Sequence, residues 1–146
     1  MRKWNNYLSD RRKYSTLHKG FFPYIKLLHV MLKLEAENKI RQYIPKQPQL
    51  ITPKGSTFDD HVKWVTEQLF KNVIVPVKSK VTSTCVNDGD FEKYAKANVW
   101  AIARRNDSWL LTIDGQPEFA LAFGTNPSEL KMHGFSSSDV LAEWCA

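Results

Sequence analysis

Hydrophobic residues recur with two different spacings along the chain, and the first of these predicts a long helix. Between residues 22 and 44 apolar side chains are three or four residues apart, which is the spacing of one helix face. These residues are Ile25, Leu28, Leu32, Ala36, Ile40 and Tyr43. Pro23 suits a first helical turn, and Pro45 ends the pattern, so a helix is predicted over residues 22–44.

A second helix is predicted over residues 57–71. Its apolar positions, spaced by four, three and four residues, are Phe58, Val62, Val65 and Leu69. Ser56 or Thr57 can cap its N-terminus, because a hydroxyl oxygen accepts hydrogen bonds from backbone N–H groups there. Asp59 and Asp60 lie in the first turn, where carboxylates offset the helix dipole.

The spacing then changes to two, which predicts a half-buried strand over residues 73–86. The alternating positions are Val73, Val75, Val77 and Val81 on one face and Lys78, Lys80, Thr82 and Thr84 on the other. Pro76 has no N–H to donate to a neighbouring strand, so it predicts an edge strand or a bulge. Asn87-Asp88-Gly89 is typical of a turn.

The C-terminal half predicts a meander of three short strands, at residues 99–105, 109–113 and 118–123, separated by turn residues. The pattern over residues 91–96 is ambiguous and fits a helical turn capped by Asp90. Residues 124–134 are predicted to be a loop. A closing helix is then expected over residues 138–145, with a serine as its cap and its buried side chains Val140, Leu141 and Trp144.

Together these elements predict an α+β fold, in which N-terminal helices pack on one face of a small antiparallel sheet of about four strands, closed by a short C-terminal helix. The length of 146 residues suits one domain over residues 21–146, preceded by a basic arm or short helix over residues 1–20. A hydrophobic fraction of 42% and a charged fraction of 25% are close to globular averages, which argues against wholesale disorder.

The charge is unevenly distributed, and this asymmetry indicates an anionic partner. Residues 1–54 carry 12 Lys and Arg and three acidic residues, a net charge of +9, whereas residues 55–146 carry nine and 12, a net charge of −3. Cations interleaved with aromatic rings suit phosphates and exposed bases. The predicted anion-binding residues are Trp4, Arg11, Arg12, Lys13, Tyr14, Lys19, Lys26 and Lys33.

Catalytic and metal-binding signatures are weak. Asp59, Asp60 and His61 are consecutive, and consecutive helical positions point in different directions, so no metal site and no cofactor are predicted. A Glu-x-Lys string at residues 129–131, preceded by Asp114 and Glu118, matches part of a magnesium-dependent nuclease motif but is predicted to lie in a loop or a short helical turn. Cys85 is expected to be a small core residue on its strand.

The sequence therefore favours a non-enzymatic binding protein whose basic N-terminal third contacts nucleic acid or another polyanionic surface. The alternative is a protein-binding module, of an inhibitor or immunity type, that docks on an acidic partner. A homodimer paired along the strand at residues 73–86 is a further expectation, since an unpaired edge accepts another strand. Two cysteines and no signal peptide indicate a cytoplasmic, reducing location, and no membrane partner is expected because residues 21–34 are too few to span a bilayer.

Overall fold

The computed structural model describes residues 29–146, and residues 31–146 form one structural unit with both helices and strands. Along the chain the elements are α1 (Lys33–Gln42), α2 (Phe58–Lys71), β1 (Val73–Ser79), β2 (Val81–Thr84), α3 (Phe91–Lys96), β3 (Val99–Arg105), β4 (Ser108–Ile113), β5 (Phe119–Phe123), β6 (Leu130–Met132) and α4 (Val140–Trp144). The fold class is α+β, as the sequence predicts.

The strands form one mixed sheet in the order β1-β3-β4-β5-β6-β2. All neighbouring pairs are antiparallel except β2 and β6, which are parallel. The expectation of a purely antiparallel sheet of about four strands therefore differs from the structure in strand number and in direction. Strands β3, β4 and β5 are the predicted meander, with bounds within one residue of those expected.

The two edge strands, β1 and β2, are separated by Lys80 alone. Ser79 pairs with Val99 of β3, and two residues later Val81 pairs with Leu130 of β6. The chain thus crosses from one sheet edge to the other within a single residue, so the sheet curls until its two edges meet at this point. The strand predicted over residues 73–86 is consequently two strands with different partners.

Strand β6 occupies part of the segment that was predicted to be a loop. It is only three residues long, and Leu130 and Met132 are buried while Lys131 is exposed. Three residues with turn residues on both sides show too little alternation to predict a strand. Pairing with β5 and with β2 defines the strand, and β2 lies far away in the sequence, so no local pattern reports it.

Helix α1 is shorter than the predicted helix over residues 22–44. Residues 22–28 lie outside the described residues, and residues 29–32 are not helical. Leu32 is the N-cap, and its N–H donates to the Glu35 carboxylate at 2.7 Å. Leu32 is consequently exposed, whereas Ala36 and Ile40 are buried as the helical spacing predicts.

Both faces of the sheet are covered, because the N-terminal helices and the closing helix share one layer, as expected, while α3 lies in the other. One layer joins α1, α2 and α4 to the sheet through buried residues that include Ala36, Ile40, Val65, Leu69, Ile102, Phe119 and Trp144. The opposite layer contains Tyr94 of α3 and buried residues that include Val99, Ala101, Trp109, Leu111 and Met132. Burial on both faces explains the continuous apolar run at Val99–Ala103 of β3.

The helix caps are formed as expected for α2 and differently for α4. The backbone N–H of Asp60 donates to the Thr57 hydroxyl at 3.2 Å, which caps α2. Helix α4 is capped by Asp139, whose carboxylate accepts from the N–H of Ala142 at 3.0 Å. The Ser137 hydroxyl, one of the predicted caps, instead accepts from the N–H of Asp139 at 3.2 Å. Aspartate and serine are both strong caps, so spacing did not distinguish them.

Candidate binding surfaces

Of the predicted anion-binding residues, only Lys33 lies in the described part of the chain. It is the first residue of α1, and it is exposed. The other seven, which lie outside the described residues, are Trp4, Arg11, Arg12, Lys13, Tyr14, Lys19 and Lys26. The prediction for those seven residues stays a prediction.

An open groove of about 420 Å³ lies between the first half of α2 and the loop before it. It is lined by Pro53, Ser56, Asp60, His61 and Trp64. The rings of His61 and Trp64 are nearly parallel, with centroids 6.2 Å apart and an interplanar angle of 15°. Because these two residues are one helical turn apart, the helix itself sets this stacking.

Large apolar side chains are exposed in and near the groove. The Trp64 side chain is 57% exposed, and Ile51, which precedes Pro53 by two residues, is 93% exposed. By contrast, Trp100, Trp109 and Trp144 are each at most 5% exposed. An exposed tryptophan beside a concave surface is typical of a recognition site, because the ring supplies a large rigid contact area.

Several other aromatic rings are covered by the chain's own cations. Arg104 lies over Trp109 at 4.3 Å and Arg105 over Trp144 at 4.7 Å, measured from the guanidinium carbon to the ring centroid. The pairs Arg41 with Phe70 and Lys39 with Phe119 are similar. Arg104 also reaches Asp107 at 3.9 Å, the local ion pair that its sequence position favours.

A cluster of polar side chains joins the start of α3 to the loop before α4. The Asp90 carboxylate accepts from both the N–H and the hydroxyl of Ser136, each at 2.8 Å. The Ser136 hydroxyl is also 3.2 Å from the Glu118 carboxylate, which forms an ion pair with Lys93. A hydroxyl has one proton, so Ser136 can donate to only one of the two carboxylates at a time. Asp90 is the N-cap residue of α3, as the sequence predicted, but its side chain makes no capping hydrogen bond and holds this loop instead.

Burial perturbs the titration of two groups beside this cluster. Burial raises the pKa of Glu143 on α4 to about 7, opposed by a hydrogen bond from Ser137. Burial also raises the pKa of Tyr94. The buried Tyr94 hydroxyl has no hydrogen bond of ordinary geometry, although the Ser136 side chain partly offsets the increase in its pKa. The cluster connects three parts of the fold, and its burial makes folding sensitive to pH.

We expect the stability of the protein to fall as the pH rises from about 5 to 8 because of Glu143. Its pKa is about 7 in the folded protein, against an ordinary 4.5. The stabilisation is therefore complete below pH 4.5 and is lost as the pH rises through 7. Allowing for partial exposure, the loss is about 1–2 kcal/mol. Urea denaturation of the wild type and of Glu143→Gln across this range measures it. Equal pH dependence in both proteins would contradict the prediction.

The other residues considered for metal binding or catalysis do not form a site in the described part of the chain, and two of them lie elsewhere than expected. Among residues 29–146 there is no group of three His, Cys, Asp or Glu side chains able to hold a metal ion. Lys131 of the Glu-x-Lys string lies on β6, not in a loop. Cys85 was expected in the core, but it follows the last residue of β2 and is exposed. The strand ends at Thr84, two residues before the predicted end at residue 86.

Strand β1 lies at a sheet edge and carries a register shift between Val73 and Val77, and Pro76 lies within the shift. The sequence predicted an edge position or a bulge at this proline, and both are present. Val75 is 70% exposed, next to a residue without an N–H. Proline and the exposed Lys78 are features that discourage strand addition. The homodimer along this strand stays a prediction.

Sequence reasoning missed two of these features. The partners Asp90, Glu118 and Ser136 are far apart in the sequence, so no spacing rule connects them. The groove had a local signal, because Asp60 and Trp64 are four residues apart on the polar side of α2, away from the apolar positions. A tryptophan at such a position is a recognisable sign of a binding surface.

No protein-family model matches the chain, and the searches of curated proteins and of solved structures found no match. Within residues 29–146, no helix has both the length and the apolar character needed to cross a membrane.

Proposed function

We propose that this is a non-enzymatic binding protein whose basic N-terminal segment contacts the backbone of nucleic acid. The observation that carries the proposal is the location of the charge. Residues 1–28 contain seven Lys and Arg and one acidic residue, which equals the full net charge of +6. Residues 29–146 contain 14 of each and are neutral. The anionic partner is therefore expected at the N-terminal segment and not at the α+β domain.

The composition of the segment favours nucleic acid over a general anionic surface. Phosphates attract cations at any sequence, and counterion release makes such binding sensitive to salt. The aromatic residues Trp4, Tyr7 and Tyr14 alternate with the cations and provide faces on which unpaired bases stack. Lys33, at the exposed start of α1, extends the same charge into the described domain. Single-stranded or structured nucleic acid is the preferred partner.

A salt titration with labelled single-stranded and duplex DNA and RNA tests the proposal. If about four phosphates are neutralised, the dissociation constant increases about a hundredfold between about 50 and 200 mM salt. Tighter binding to single strands would indicate stacking by the aromatic residues. Absence of binding at the lower salt concentration would overturn the proposal and favour docking on an acidic protein.

Reversing three charges in the segment identifies the residues responsible. We expect the variant carrying Arg11→Glu, Arg12→Glu and Lys13→Glu to bind at least about tenfold more weakly, because each reversal replaces attraction by repulsion of phosphate. The matched control reverses Lys46, Lys78 and Lys131, which are exposed in the domain, and has the same net charge. Equal loss in both variants would mean that net charge, not the segment, drives binding. Thermal melting checks that each variant stays folded.

A further inference from the structure

The indole ring of Trp64 has an exposed face with no cation over it among the described residues. Arg or Lys side chains lie over Phe70, Phe119, Trp109 and Trp144. Trp64 is the most exposed tryptophan of the described chain, and its own neighbour Lys63 does not cover it. The electron-rich face of an indole is the strongest cation acceptor among aromatic rings.

The carboxylate of Asp60 lies in the same groove, one helical turn before Trp64. It is exposed, and within the described chain it forms no ion pair. A carboxylate and an indole face at positions i and i+4 lie side by side on a helix. Both groups attract the same kind of ligand, a cation, and among residues 29–146 no Lys or Arg pairs with either group.

The start of α2 does not cancel this preference. A helix N-terminus carries about half a positive charge. Asp59 and Asp60 together contribute two negative charges in the first turn. These two negative charges exceed the half positive charge of the helix N-terminus.

We propose that this groove binds the guanidinium of an arginine in an extended segment of a partner protein. The guanidinium plane stacks on Trp64 while its N–H groups donate to the Asp60 carboxylate. Pro53 and Ser56 also line the groove and contact the aliphatic part of the bound side chain. The nearly parallel His61 ring supports Trp64 from the neighbouring turn and keeps its orientation. The exposed Ile51 offers apolar contact to the residue next to the arginine.

Arginine fits the groove better than lysine or a cofactor. A planar guanidinium stacks on an aromatic face and donates two parallel hydrogen bonds to a carboxylate. An ammonium is a point charge and cannot form this two-bond arrangement. The volume of about 420 Å³ is at the small end of ligand pockets, which is room for one long side chain. The same Arg-on-Trp arrangement occurs within the fold at Arg104 and Trp109.

Fluorine NMR of the full chain labelled with 5-fluorotryptophan tests the proposal. The Trp64 signal is assigned by its loss in Trp64→Phe. The probes are blocked tripeptides, acetyl-Gly-X-Gly-amide, with arginine, citrulline or lysine at X. We expect the arginine probe to shift the Trp64 signal and not that of the covered Trp109. Citrulline has the same shape without charge, so its affinity should be about tenfold lower.

Two variants separate the site from general charge effects. Asp60→Asn should weaken the arginine probe about tenfold, because it removes the charge-assisted bonds. Asp88→Asn removes the same charge from an exposed turn and should change the affinity less than about twofold, since distant charges are screened. Equal binding of arginine and citrulline, equal binding of arginine and lysine, an unaffected Asp60→Asn variant, or no shift at all would each overturn the assignment.

This inference is independent of nucleic-acid binding by the N-terminal segment. Trp64→Phe and Asp60→Asn should leave the salt titration with nucleic acid unchanged. The charge-reversal variant at residues 11–13 should in turn keep the Trp64 response to the arginine probe. Loss of only one response therefore identifies which of the two proposals is wrong.

Discussion

Replacing Trp144 by alanine is expected to lower the free energy of unfolding by about 3–5 kcal/mol. Trp144 is 1% exposed and belongs to the core layer that joins α4 to the sheet. Its removal leaves a large cavity and also removes the surface on which Arg105 lies. Domains of this kind are stable by about 5–15 kcal/mol in total, so the variant is expected to be partly unfolded at 37 °C. Urea denaturation followed by circular dichroism measures the change.

Trp64→Ala is the matched control, because it makes the same chemical change in a side chain that is 57% exposed. We expect it to change the free energy of unfolding by less than about 1 kcal/mol. Comparable losses in the two variants would contradict the assignment of Trp144 to the core and of Trp64 to a binding surface. Comparing the two Trp→Ala variants therefore separates a tryptophan that stabilises the fold from one that is available for binding.

Gly89→Ala is the second variant with a large expected effect. A Cβ atom at this position would lie 2.0 Å from the carbonyl oxygen of Gly134 and 2.8 Å from its carbonyl carbon. Both are backbone atoms that cannot rotate away, and the N–H of Asp90 donates to that oxygen at 2.7 Å. Overpacking and loss of the hydrogen bond together should cost about 2–4 kcal/mol. The contact joins the turn before α3 to the loop before α4.

Gly115→Ala provides the comparison for this prediction. Gly115 has a φ of 74° in the turn between β4 and β5, and a Cβ there would meet nothing within 4 Å. Its cost is therefore the left-handed backbone alone, about 1–2 kcal/mol. Thermal and urea denaturation of the two variants should place Gly89→Ala below Gly115→Ala in stability. The reverse order would show that the loops do not touch as closely as the structure indicates.

The elements that were predicted well are those whose caps, turn residues and apolar spacing all lie within the segment itself. Helix α2 has a cap at Thr57, acidic residues in its first turn and apolar residues at helical spacing, and its observed start differs from the prediction by one residue. Strands β3 to β5 are bounded by turn residues on both sides. The local pattern is therefore sufficient for the bounds of these segments, although within α2 only Val65 and Leu69 are buried and Phe58 is 37% exposed.

The predictions that differ from the structure depend on contacts between distant segments. The start of α1 is an exception, because a local capping interaction between Leu32 and Glu35 places it at Lys33, although the apolar spacing continues through residues before it. The alternation over residues 73–86 predicted Val75 and Val77 on the buried face, but both are exposed, next to the register shift between Val73 and Val77. The segment also changes partner at Lys80, which no local pattern records. Strand β6 exists because β5 and β2 are present on either side of it.

The candidate sites divide in the same way. The basic segment is evident from composition, because charge is a sum over residues and needs no geometry. The groove at Trp64 requires the structure, because only packing shows that this ring stays exposed while Trp100, Trp109 and Trp144 are buried. The Asp90–Ser136–Glu118 cluster requires it too, since its members come from three separate loops and strands.

The sequence by itself determined the fold class, the positions of α2 and of the β3–β5 meander, the burial of α4 and the concentration of positive charge before residue 29. These properties follow from periodicity, capping, turns and charge, which act over a few residues. Only the tertiary structure decided that β1 and β2 lie at opposite edges, that β2 runs parallel to β6, and that Trp64 and Asp60 form an open groove. Strand order and side-chain exposure depend on which distant segments meet, and many pairings satisfy the same hydrophobic pattern.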